Sequence, residues 1–138
     1  MDRESLTERE AGGYSPLGLA FLGDSVYDTL VREYLLRTAN VPVGKYHREK
    51  IKLVCAEFQS SVYELLEDEL SARELAVMRR GRNAAGNAIP KHTDAVTYRR
   101  ATAVESLFGY LFLLGQTERI YELFGLVMKN VNIDYGVD

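Results

Sequence analysis

Apolar residues recur at helical spacing along most of the chain, and nowhere do they alternate with period two for long enough to make a strand. Leu17, Phe21, Tyr27, Val31, Tyr34 and Leu35 mark a helix over 16–37. Ser15 stands as its N-cap and Pro16 at its first position, where a missing N–H costs nothing. NVPVG at 40–44 breaks the chain. Ile51, Val54, Cys55, Phe58, Val62, Leu65 and Leu66 resume the spacing over 45–67, as one helix or as two broken near 59–61. SARE at 71–74 fits the capping box and opens a short helix ending at Gly81. The glycine- and asparagine-rich stretch 81–92 reads as a loop. Thr93 or Asp94 caps the next helix, which runs to Leu114 and is stopped by Gly115, and Thr117 caps a last one to about residue 130. The pattern predicts an all-α fold with a single helical domain over 14–130, a flexible lead-in at 1–13 and a fraying tail at 131–138.

Two positions break the pattern. Asp24 has Ala20, Phe21, Tyr27 and Asp28 as its helical neighbours, so an acid stands on a largely apolar face, directly after Gly23. Glu105 repeats the arrangement among Ala101, Thr102, Phe108 and Gly109. A buried carboxylate needs a cation, a hydrogen-bond partner or a proton. Two of them on separate helices are explained together if the faces meet around a divalent ion, which takes oxygen ligands and shares them with substrate phosphate. The alternative for each is an arginine partner or a helix cap. The histidines, His47 and His92, do not form a ligand pair by spacing, and no glycine-rich phosphate loop follows a strand.

Charge sharpens this picture. The net charge of −3 argues against a nucleic-acid binder only if it is spread evenly. Residues 79–100 hold six cations (Arg79, Arg80, Arg82, Lys91, Arg99, Arg100) against one acid, a local +5, so the remainder of the chain carries −8. Residues 57–74 hold six acids and one arginine. Such separation suits an enzyme that holds a polyanion on one face, with a solvated loop as the plain alternative. The single cysteine, Cys55, lies in the apolar run IKLVCA and reads as a buried thiol rather than a nucleophile. Neither uncharged run, 11–23 or 106–117, reaches the roughly 18 residues of a membrane span, and MDRESLTERE has no signal-peptide character. The expectation is a soluble, cytoplasmic protein.

LGLAFLGDSVYDTLVREYLL, with Leu-Gly-Asp at its centre, resembles the signature helix of the ribonuclease III catalytic domain. RRGRNAAGNAIPKHTDAVTYRRATAVESLFGYLFL resembles the short Mini-III branch of that family, as do YHR at 46–48 and VCAEFQ at 54–59, so that the likeness runs from about 16 to 128. The resemblance implies a homodimeric, magnesium-dependent endoribonuclease that cuts double-stranded RNA to 5′-phosphate and 3′-hydroxyl ends, with precursor large-subunit (23S) ribosomal RNA as substrate and a ribosomal protein as a further partner. It also implies that Asp24 and Glu105 are the catalytic acids and metal ligands. Larger family members carry further carboxylates where this chain has Ala20 and Thr102.

For such a substrate, Arg79, Arg80, Arg82, Lys91, Arg99 and Arg100 are expected to hold phosphates, Arg82 and Lys91 foremost because they fall in the loop. Asn83 offers an amide to sugar or phosphate, with a turn role as the alternative, and His47 and Arg48 match family positions, with a place near the RNA set against simple surface placement. Leu17, Phe21, Phe108 and Phe112 are the expected dimer face, with ordinary core as the alternative. A non-catalytic RNA-binding or ribosome-associated module of the same fold is the other functional reading.

Overall fold

The computed structural model describes residues 3–84 and 89–136. The described residues are all-helical: α1 (Glu8–Gly12), α2 (Pro16–Thr38), α3 (Val43–Val54), α4 (Ala56–Leu66), α5 (Ala72–Ala84), α6 (Ala95–Leu113) and α7 (Thr117–Met128). No helix among them is long and apolar enough to cross a membrane.

The chain is wrapped around α6. From Ala101 to Leu111 every residue of that helix is buried except Glu105, and a helix that is apolar on all sides belongs in the middle of a domain. α2, α4 and α5 pack around it. Two of these contacts are backbone to backbone. A β-carbon on Gly23 of α2 would lie 1.6 Å from the carbonyl oxygen of Glu105, and one on Gly109 of α6 would lie 2.0 Å from the carbonyl oxygen of Leu19. On the other flank, a β-carbon on Gly81 of α5 would lie 2.5 Å from the hydroxyl of Ser106. Ser106 donates to the carbonyl of Pro16 at 2.9 Å, tying α6 to the first turn of α2.

Local chemistry accounts for most helix boundaries. Ser15 and Asp94 cap α2 and α6 through their side chains, and Ser71 and Glu74 satisfy each other's backbone N–H groups at the start of α5. Gly115, at φ +70, ends α6. Other boundaries differ from the expected ones. The break in 45–67 falls at Cys55, whose backbone is extended, not at 59–61. The Leu53 carbonyl freed there accepts from the buried Tyr27 hydroxyl at 2.8 Å, a long-range partner that local periodicity does not carry. Cys55 is half-buried at this junction instead of lying within a core run. Gly81 does not stop α5; it lets α5 approach α6, and the helix continues to Ala84, so Arg82 and Asn83 are helical. Thr117 is the first residue of α7, not its cap.

The described parts of the lead-in and the tail both make contacts with the helical body. In the lead-in, Thr7 and Glu10 form a capping box, Ala11 is fully buried, and the Leu6 N–H donates to Leu113 at 2.9 Å. At the other end, Tyr135 donates to the Leu35 carbonyl at 2.9 Å, its ring packs edge-on against Tyr46, and the Asp134 N–H donates to Glu49 at 3.0 Å. Phe108 is also reassigned. It is fully buried against Tyr27 in an edge-to-face contact with ring centroids 5.7 Å apart, so it is core and not a dimer face.

Gly23→Ala is expected to cost at least ~3 kcal/mol, because the new methyl group overlaps a helix backbone that cannot rotate away. Gly125→Ala, where a β-carbon meets nothing within 4 Å, serves as the control and is expected to leave stability unchanged or raise it by about 1 kcal/mol. Thermal and denaturant melts of the two variants decide the point.

Candidate active site

The glycine contact fixes where the two unusual acids stand. Asp24 follows Gly23 directly, and Glu105 lies one helical turn before Gly109, so the point at which α2 and α6 touch sets the two carboxylates beside each other. Asp24 is exposed at the rim, contrary to the expectation of a buried acid, because its neighbour Phe21 also faces outward. Glu105 is the enclosed member of the pair.

Burial, a hydrogen bond with Asp24 and the Asp24 charge together push the Glu105 carboxyl up to about 8. Two carboxylates so placed resist ionising together and favour a shared proton or a shared cation. Tyr27, one turn from Asp24, has its hydroxyl shifted upward by burial first, then by Cys55 and Glu105. Ala20 and Thr102 are buried, and the Thr102 hydroxyl donates to the Tyr98 carbonyl at 3.0 Å. Among the described residues no group of three or more His, Cys, Asp or Glu converges. The protein therefore offers two oxygen-bearing side chains at this point, a set that suits a hard divalent ion retaining water and substrate oxygens.

Asp28, one turn further along α2, is occupied elsewhere. Arg32 at 2.6 Å and Lys50 at 3.0 Å bind its carboxylate. Although burial acts to raise it, hydrogen bonds from Lys50 and Arg32 hold it below the usual carboxylate range.

The expected RNA-contacting residues divide into groups. Arg82, Asn83, Arg99 and Arg100 come together with Val96 around a cleft of about 330 Å³ between the end of α5 and the start of α6. Arg82 donates to the Tyr63 hydroxyl at 2.9 Å and to the side-chain oxygen of Asn83 at 3.2 Å. Arg100 pairs with Glu64 and lies over the Tyr63 ring, 5.5 Å from its centroid. Arg79 and Lys91 are exposed outside this cleft. Arg80 is engaged on another side, donating to the Gly12 carbonyl at 3.1 Å. His47 and Arg48 lie on exposed positions of α3, as simple surface placement, the alternative to an RNA contact, requires; His47 borders a hollow with Arg32 and Lys50, and Arg48 one with Lys45 and Lys52. Tyr63 and Glu64 were not legible as site residues. In sequence Tyr63 is a core aromatic and Glu64 one of several surface acids.

The Ribonuclease III domain pattern matches residues 17–116, a span that includes both acids and all the basic residues named above. The chain belongs to the ribonuclease III family. It is similar to curated proteins named Mini-ribonuclease 3. The Thermoanaerobacter sp. (strain X514) protein is 40% identical over 126 residues, covering 91% of this chain and 89% of that one. The Symbiobacterium thermophilum protein is 44% identical over 108 residues, covering 78% of this chain and 83% of the other. A crystal structure of a Fusobacterium nucleatum protein superposes with a TM-score of 0.77 at 29% identity, covering 84% of this chain and 89% of that one. As a Mini-ribonuclease 3 type member of the family, the chain is an endoribonuclease.

The raised Glu105 carboxyl gives a stability signature with a definite sign. Between the ordinary carboxylate value of 4.5 and about 8, the folded protein holds a proton at Glu105 that the unfolded chain has released, so stability falls as pH rises through this window. Glu105→Gln removes the ionisation. In chelator at pH 9 the variant is expected to melt about 5 °C above the wild type, and this advantage should vanish below the window.

Proposed function

We propose that the chain is a magnesium-dependent endoribonuclease that cleaves double-stranded RNA, leaving 5′-phosphate and 3′-hydroxyl ends. The observation that carries this reading is the carboxylate pair at the α2–α6 contact, with Glu105 pushed up to about 8 by burial and by Asp24. A pair in that state relieves its repulsion by taking up a divalent cation in place of the proton. Asp24 and Glu105 would hold the ion. When bound, it supplies a water of lowered pKa and charge stabilisation at the scissile phosphate.

The chain's own residues do the rest. Glu105, deprotonated, would serve as a ligand, and it is the enclosed member of the pair. Asp24, at the exposed rim, faces the incoming substrate. The basic residues around α5 and α6 hold backbone phosphates, which is how duplex RNA is read in the absence of accessible base edges. Both acids are present, which speaks against a non-catalytic module of the same fold.

A homodimer completes the reading. Phe21 is 85% exposed on α2, Leu17 and Phe112 are exposed as well, and a hollow of about 260 Å³ has Leu22, Val26, Phe112 and Tyr121 among its lining residues. A single apolar side chain that projects this far, together with an apolar hollow, suits a two-fold contact in which each copy fills the other. Two sites related by that axis match the local two-fold symmetry of a duplex. Sedimentation of the intact protein as a monomer at micromolar concentration would remove this element. Precursor large-subunit ribosomal RNA, with a ribosomal protein assisting, is the substrate that the family resemblance suggests.

Asp24→Asn is expected to fold with wild-type circular dichroism and to lose at least ~100-fold in cleavage of duplex RNA with magnesium present. Cleavage by the variant at a wild-type rate would refute the assignment of the acid.

A further inference from the structure

A donor without a partner lies beside the cleft between α5 and α6. The Nε of Arg99 is buried and has no hydrogen-bond partner among the described residues, while its neighbours Arg82 and Arg100 are both engaged. An unpaired buried donor is costly, and more so when it belongs to a charged group. A guanidinium also presents a planar fork suited to two oxygens of one anion. Glu64 offsets one of the three arginine charges, which leaves the cleft with a surplus of positive charge. The apolar side chain of Val96 forms part of the wall.

The flanking arginines are held by one buried side chain. Tyr63 of α4 is 1% exposed; its hydroxyl accepts from Arg82, and its ring supports Arg100. A single residue thus holds cations from two different helices, both of which line the cleft with Arg99. Along α6 the cleft lies six residues before Glu105, on the order of 9 Å in axial rise, so an anion bound there is not the one at the acid pair.

We propose that this cleft binds a non-scissile phosphate of the RNA backbone, with Arg99 as its direct ligand and Tyr63 as the positioning residue that sets Arg82 and Arg100 around it. The inference relies on the nuclease reading for the identity of the polyanion, and on the cleft alone for its phosphate chemistry. Because the fork matters as much as the charge, lysine does not replace Arg99. Because Tyr63 acts through its hydroxyl on Arg82 and through its ring on Arg100, phenylalanine removes one function and keeps the other.

The test has two arms. In the first, the arginine Nε–Hε resonances of the wild-type protein are followed by NMR during titration with inorganic phosphate, against sodium chloride at matched ionic strength. The Arg99 resonance is expected to shift with phosphate and not with chloride; an unmoved resonance overturns the proposal. In the second, cleavage of duplex RNA is measured for Arg99→Lys, Arg99→Gln and Tyr63→Phe. Arg99→Lys is expected to raise KM roughly 10-fold with kcat within about two-fold. Tyr63→Phe should raise KM about three-fold, again with kcat unchanged. Arg99→Gln should reduce the slope of log KM against log salt by about one phosphate contact. Unchanged KM and salt slope, or a loss confined to kcat, would overturn the assignment. A wild-type protein that responds to phosphate but cuts no duplex RNA keeps the cleft and discards the nuclease reading; one that cuts while Arg99 stays inert does the reverse.

Discussion

The closeness of two helix backbones governs this molecule. Gly23 and Gly109 allow α2 and α6 to touch without intervening side chains, and a methyl group at either position would sit inside the opposite backbone. The crossing serves packing and chemistry at once. It seats the central helix against the longest one, and it brings the residue after Gly23 and the residue one turn before Gly109 into range of each other. Side-chain packing at an ordinary helix interface would hold the axes about 8–10 Å apart, with the acids on separate surfaces. Here Glu105 is enclosed, Asp24 stands at the exposed rim beside it, and the repulsion between the two carboxylates becomes a property of the fold.

The functional parts divide between rigid and half-satisfied elements. Glu105 stands on the most enclosed helix in the structure, and Asp24 on α2 at the exposed rim. The arginine cleft, a little further toward the start of α6, is built from cations that already have protein partners, apart from Arg99. Neutral and acidic groups such as the Tyr63 hydroxyl and the Glu64 carboxylate keep a dense positive cluster compatible with a folded protein of net charge −3. Ala20 and Thr102, one turn before the two acids, are buried and fill core space.

Much of this was legible in the sequence, for identifiable reasons. Helical periodicity, Ser15 and Asp94 as caps, and Gly115 as a stop are local signals, and they placed α2, α6 and the all-α class correctly. The acids were visible as polar exceptions to an apolar face. Their relative exposure was not, because it depends on Phe21 turning outward, and a heptad pattern does not distinguish a core phenylalanine such as Phe108 from a projecting one. Gly81 misled for a related reason. Near a helix end a glycine reads as a terminator, whereas here it admits a neighbouring helix, which moved Arg82 and Asn83 from a loop onto α5. The contacts of the lead-in and tail, and the break at Cys55, rest on partners tens of residues away, which no window-based reading contains.

The account stands on the claim that Asp24 and Glu105 form one cation site in which a proton and a divalent ion compete. With Glu105 near 8, most molecules at pH 7 carry the proton that must leave when the ion binds. Calorimetric titration of magnesium into the intact protein at pH 7, repeated in buffers of different ionisation enthalpy, counts that proton. The account predicts release of close to one proton per ion bound, falling well below one at pH 9 and disappearing together with binding in Glu105→Gln. Magnesium binding without proton release at pH 7, or binding of equal strength in Glu105→Gln, would contradict it.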